Sequence, residues 1–190
     1  MKFTFLLLLS PILLFSQIKA NGDIWAAKEY SKEISLFNSK SFLFKDVLGV
    51  SENILEFEVI PLAATSSGEL TTLLYKCDSK QKEGLILGFY GNYWNEAGVL
   101  YQGYAYKNLN KDKAIEFLDL IYSSIENHAK FLKESNDNNN IVFKYDDMNI
   151  LIHTTSDGYN IRIFWNGFDA SWEKTAFIRS KKRFEKKIKE

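Results

Sequence analysis

Apolar and polar positions change period several times along this chain, and each change marks an element. Behind Asp23 as an N-cap, Ile24, Ala27, Tyr30, Ile34 and Phe37 recur at helical spacing, which predicts a helix over 24–37. Residues 39–51 carry only a short apolar patch at Phe42-Leu43-Phe44 and a turn near Gly49. From Ile54 to Leu62 the period becomes two: Leu55, Phe57 and Val59 alternate with Glu56 and Glu58, as in a half-exposed strand. Pro61 weakens its end. The Ser66-Ser67-Gly68 turn leads into a second strand, Leu70–Cys77, and the polar run 78–83 reads as a loop. Gly84–Trp94 and Val99–Tyr106 then read as a hairpin around Asn95-Glu96-Ala97-Gly98.

Asn110 caps a long helix whose stripe is Ala114, Leu118, Ile121, Ile125, Ala129 and Leu132. A polar loop over 135–140 follows, then three strands whose turns set a register. Asp146-Asp147 joins Ile141–Tyr145 to Met148–Thr154, and Asp157-Gly158, a type I′ signal, joins that strand to Tyr159–Trp165. Phe143, Ile150 and Trp165 then share one row and Ile141, Ile152 and Ile163 the next, all on one face. The other face holds Lys144, Asn149, His153 and Arg162, with Leu151 and Phe164 implying partial cover. After an Asn166-Gly167 turn, Asp169 or Ser171 caps a last helix through Trp172, Ala176, Phe177, Phe184 and Ile188. The order α-ββββ-α-βββ-α predicts an α+β fold: a mainly antiparallel sheet of about seven strands with three helices. Strands followed by a helix occur twice, without sequence identity between the two runs.

The first twenty residues fit none of these periods. Lys2, the apolar run from Phe3 to Phe15 and the closing Ile18-Lys19-Ala20 have the layout of a secretory signal peptide, with cleavage expected after Ala20. The run is broken by Ser10-Pro11 and is shorter than the roughly 20 apolar residues of a membrane span. The expectation is an exported protein, periplasmic or extracellular, with a single globular domain over 21–190 and no transmembrane segment in the mature chain.

Composition narrows the function classes. Aromatic residues make up 15% of the chain, with 15 Phe, 10 Tyr and 4 Trp, and only two prolines argue against long linkers. The signal segment takes two of the 24 basic side chains and none of the 24 acidic ones, leaving a mature chain two charges negative. Such a balance gives no drive toward nucleic acid. Cys77 is the single cysteine, so no internal disulfide can form and the fold relies on its core. It ends a strand in phase with Leu73 and Tyr75, as a buried free thiol would.

The residues that carry catalysis elsewhere are sparse. His128 and His153 are the only histidines, and neither has a histidine or cysteine neighbour at zinc-ligand spacing. No G-x-S-x-G elbow and no phosphate loop occur. Glu56 with Glu58 projects from the exposed side of a strand, and Asp146-Asp147 is explained by its turn. No catalytic residue, metal or cofactor is therefore assigned. Two binding candidates remain. If Trp94 pairs with Val99, then Asn92 meets Tyr101 and Tyr90 meets Gly103, giving a face of Tyr90, Asn92, Trp94 and Tyr101 among small residues. A helix packed over those glycines would account for the same pattern. The last helix is basic, with Lys182, Lys186 and Lys187 among its cations, and could dock on an anionic partner or simply be solvated. The leading expectation is a non-enzymatic binding module whose partner is a protein or a cell-envelope component. The alternative is a small exported hydrolase whose site residues meet only in three dimensions, and an inhibitor-like role needs only a specific protein target.

Overall fold

Residues 36–190 are described by a computed structural model, except 51, 95–96, 134–138 and 157 and the side chains of 92–94 and 100–102. The segment expected to be a signal peptide and the helix expected over 24–37, save its last two positions, lie outside the described residues.

Residues 36–48 form helix α1, whose last part, Leu43–Leu48, is π-wound and stops at Gly49 with φ 77°. The helix runs well past Phe37 because Leu43 and Leu48 are buried on a sheet, and that packing outweighs the weak local pattern. Strands β1 (Glu58–Ala64), β2 (Leu70–Cys77), β3 (Lys82–Trp94) and β4 (Leu100–Asn110) make an antiparallel meander. Helix α2 (Lys111–Asn127) follows, capped by the Asn110 side chain, which accepts from the Lys113 N–H at 3.0 Å. It breaks at His128, and α3 (Ala129–Lys133) continues it briefly. Strands β5 (Asn140–Tyr145), β6 (Met148–Thr155), β7 (Gly158–Trp165) and β8 (Phe168–Glu173) make a second antiparallel meander, and α4 (Lys174–Lys187) closes the chain. The fold is α+β with two four-stranded antiparallel sheets, joined at the single bridge of Tyr93 with Phe168.

Two expectations need correction here. Residues 168–173 are strand β8 and not the start of the last helix, so the described residues hold eight strands. Asn166 and Gly167 both have positive φ, at 50° and 79°, which is the turn that folds one strand back beside another. Phe168, Ala170 and Trp172 are accordingly buried at period two, opposite Trp165, Ile163 and Ile161. The β6–β7 register also differs: Thr155 pairs with Gly158, placing Ile150 opposite Ile163 and Ile152 opposite Ile161. That is two residues from the expected pairing. An even shift leaves every side chain on its face, so the apolar face survives intact.

The inner faces of both sheets share one core with α2 and α4, in which Phe89, Ile152, Ile163 and Trp172 meet Phe117 and Phe177. Helix α1 packs on the other face of the first sheet, where Leu43 and Leu48 meet Leu73, Tyr75, Cys77 and Ile86. Cys77 is a buried free thiol. On the outer face of the second sheet Leu151 is half-buried, but Val142 and Phe164 are exposed, so less of that face is covered than Leu151 and Phe164 had implied.

A polar joint ties the two sheets. Lys107 of β4 reaches the β5–β6 turn, with its Nζ 3.0 Å from Asp146 and 2.5 Å from Asp147, and lies over the Trp165 ring. The Trp165 Nε1–H donates to Asp147 at 2.9 Å. Burial works against the charge of Asp147, but the Lys107 and Trp165 hydrogen bonds outweigh it and hold its carboxyl below the usual aspartate value. Burial likewise opposes the Lys107 charge, and the two aspartates outweigh it and raise its pKa. Replacing Lys107 with Met is expected to cost about 1–2 kcal/mol at neutral pH, the scale of a charge-assisted network at a partly exposed site. A depressed carboxyl pKa contributes stability that is present above the unfolded value, about 3.9, and is lost as pH falls through the folded one. The raised lysine pKa contributes below about 10.4 and is lost as pH rises through its folded value. Urea titrations should thus show the gap between wild type and Lys107→Met closing at both extremes. A gap unchanged at pH 3 would remove the ionic explanation.

Candidate functional site

The outer end of the β3–β4 hairpin is built by strand length. Strand β2 leaves β3 at the Leu70–Phe89 pair, so Tyr90–Trp94 pair with Leu100–Tyr104 alone, apart from the bridge to Phe168 and the Tyr90 N–H donated to the Glu69 carbonyl at 2.9 Å. The register there is Tyr90 with Tyr104, Gly91 with Gly103, Asn92 with Gln102, Tyr93 with Tyr101 and Trp94 with Leu100. The pairing of Trp94 with Val99 is therefore corrected by one residue. Val99 stays in the connection, 47% exposed, after Gly98 at φ 72°, so five residues rather than four separate the strands. An odd shift exchanges faces. Tyr101 now shares a row with Tyr93 and alternates with Tyr90, Asn92 and Trp94, while Tyr104 and Gln102 join the latter set. Both were readable as types in the sequence, but their face was not.

The rings of Tyr90 and Tyr104 stack at 4.6 Å between centroids, and both residues are partly exposed. Further in, Tyr106 stacks on Phe42 of α1 at 5.5 Å. A Cβ added at Gly88 would lie 3.1 Å from the Tyr106 ring and 2.6 Å from the Thr71 hydroxyl, so only glycine admits that ring. Helix cover thus explains the inner part of the face, as far as Tyr106. One residue out from the Tyr90–Tyr104 pair, in the alternate row, Gly91 opposes Gly103; Gly91 has φ 144°, a backbone that favours glycine, and a Cβ there would meet nothing within 4 Å. A tyrosine pair beside an open glycine step is what the outer end presents. Asn92, Trp94 and Tyr101 are placed by register, and their side chains lie outside the described residues.

On α4, Lys182 and Lys186 are exposed and form no salt bridge among the described residues, whereas Lys187 pairs with Glu190 and its carbonyl accepts from Lys76. Lys187, joined by Lys186 and Lys76, lowers the Glu190 carboxyl pKa.

Two clefts lie elsewhere. One, of about 820 Å³, is lined by Glu56, Glu58, Lys76, Asp78, Ser79 and Glu190. It brings the Glu56/Glu58 pair to two further acids that only tertiary folding supplies, but all four carboxylates are exposed. The other, of about 510 Å³, lies by the start of α2 and is lined by Tyr75, Asn108, Lys82, Glu83 and Lys111 among others. Burial raises the Tyr75 phenol pKa there, ahead of the opposing hydrogen bond with Asn108. Neither cleft contains a histidine. His128 is exposed at the end of α2, its Nδ1 2.9 Å from the Ser124 carbonyl. His153 lies opposite Asn160 and Asn140. Among the described residues no group of three or more His, Cys, Asp or Glu is placed to hold a metal ion, and no helix is long and apolar enough to cross a membrane.

No family model, curated protein or solved structure matches the chain.

Proposed function

We propose that this chain is an exported, non-enzymatic binding module, acting in the cell envelope or outside the cell, and that its partner docks on the outer end of the β3–β4 hairpin. The partner is a protein or a cell-envelope component. The observation that carries this reading is the stacked, partly exposed Tyr90–Tyr104 pair on a stretch of two strands with almost no third strand beside it. Tyrosine supplies contact area with few rotatable bonds and a hydroxyl that keeps the face soluble, which suits a surface that alternates between water and a partner. Export rests on the signal-like residues 1–20.

Affinity capture from the envelope fraction of the source cell tests it. Tyr90→Ala and Tyr104→Ala are each expected to weaken capture about tenfold or more, the scale of a binding hot spot, with the far-UV spectrum unchanged. Retained capture in both variants, or loss of folding in both, would assign the pair to packing. The mass of the accumulated protein tests export separately: a start at Asn21 supports it, and a retained Met1 segment refutes cleavage.

A further inference from the structure

We infer that α2 and α4 together form a self-complementary surface through which two copies of this chain associate. The two helices pack on the same core and turn their remaining faces outward. On α2 the exposed stripe runs Asp112, Glu116, Asp119, Ser123 and Glu126. On α4 it runs Thr175, Arg179, Lys182 and Lys186, continued by Lys189 just past the helix end. Both stripes step by four, three, four and three residues, the spacing that keeps side chains in line along a helix. One is acidic and the other basic. Arg179 to Lys186 and Asp112 to Asp119 both span seven residues, about 10 Å of helix, so the charges stay in step when the helices lie side by side.

Within one copy the stripes leave each other largely unused. Lys181 is the described link between the helices: it pairs with Asp119 across to α2 and with Glu185 on α4, and lies over the Tyr122 ring at 5.4 Å. Arg179, Lys182, Lys186 and Glu126 form no salt bridge among the described residues, and Lys186 acts at longer range on Glu190 just past the end of its own helix. Beside the stripes, Ile115, Tyr122 and Ile178 are exposed by 38%, 41% and 39%, large apolar side chains in one helical layer. A two-fold axis running between the helices sets α2 of each copy on α4 of the other, matching acid to base twice and covering those apolar residues. Without residues 1–20 the chain is only two charges negative, so little net charge opposes the approach.

Charge exchange tests the arrangement. Purified protein is expected to sediment as a dimer that weakens as salt rises from about 0.05 to 0.5 M. Lys182→Glu with Lys186→Glu, and separately Asp112→Lys with Glu126→Lys, should each weaken the dimer by about tenfold or more. An equimolar mixture of the two variants restores both contacts and should give a mixed dimer by native mass spectrometry. A chain carrying all four changes should dimerise again. If the α2 pair disturbs folding through Asp112 in the first turn, Glu126→Lys alone serves in the mixture. Monomeric wild type, dimers indifferent to Lys182→Glu with Lys186→Glu, or folded variants that fail to pair with each other would overturn the inference. Monomeric protein that binds anionic vesicles through Lys182 and Lys186 would overturn it in favour of an anionic surface.

Discussion

Replacing Trp172 with alanine is expected to cost about 3–5 kcal/mol, enough to consume much of the stability of a domain this size. Trp172 is 1% exposed and is among the largest fully buried side chains in the described chain. It sits on β8 opposite Ile161, with its ring edge-on to Phe177 of α4 at 5.0 Å and stacked toward Phe117 of α2 at 6.3 Å. One side chain therefore fastens a strand to both helices of the main core. Alanine leaves a cavity bounded by two rings and a strand, and none of these can close it without moving the others. Urea unfolding followed by far-UV dichroism measures the loss. A change below about 1 kcal/mol would mean that the site relaxes and that the strand assignment of 168–173 carries less of the core than its burial implies.

Replacing Phe89 with alanine is expected to cost as much, about 3–5 kcal/mol, by a different route. Phe89 is fully buried at the point where β2 leaves β3, and its ring packs on Trp165 at 5.0 Å and Phe168 at 6.2 Å. Those partners belong to the second sheet, and among the described residues the backbone ladder joins the sheets at one pair, Tyr93 with Phe168. Side chains must supply the coupling that a hydrogen-bonded ladder supplies elsewhere. Truncation is expected to lower stability and also to separate the unfolding transitions reported by tryptophan fluorescence and by backbone dichroism. Coincident transitions at reduced stability would show that the shared helical core alone keeps the two meanders cooperative. Phe89→Leu, which keeps most of the volume, should cost under about 1.5 kcal/mol and preserve coincidence.

The same hairpin carries both this structural joint and the proposed binding end, and the alternation of the strands keeps the roles apart. Phe89 faces the core, while Tyr90 and Tyr104 stack on the other face, just beyond the part that α1 covers. A partner at Tyr90 would therefore meet a surface backed by packed aromatic residues. The helical layer proposed for self-association is built on the opposite side of the first sheet, so a dimer through α2 and α4 leaves the tyrosine pair available.

How far the sequence could be read depended on the arithmetic of period two. The second meander was legible because one face is apolar at every second position and because the β6–β7 error was even: Ile150, Ile152, Ile161 and Ile163 kept their face though their partners moved. The hairpin was less legible because its error was odd. One extra loop residue, Val99, exchanged Tyr101 for Tyr104 on the candidate face, and nothing local in Asn95-Glu96-Ala97-Gly98-Val99 distinguishes a four-residue connection from a five-residue one. Strand β8 was missed because three alternating apolar residues, Phe168, Ala170 and Trp172, are too few to separate a strand from the approach to a helix.

By itself the sequence determined the fold class, the Asn110 cap, the apolar stripe of α2, the buried free Cys77 and the apolar face of the second meander. These depend on periodicity and on side-chain chemistry, which act over a few neighbouring residues. Only the tertiary structure decided which aromatics share a face, that α1 covers Tyr106 and not Tyr90, that Lys107 joins the two sheets, and that the acidic stripe of α2 and the basic stripe of α4 lie in one layer. Each of those is a relation between residues far apart in the chain. It is set by how the strands register and how the helices pack, and no local pattern records either.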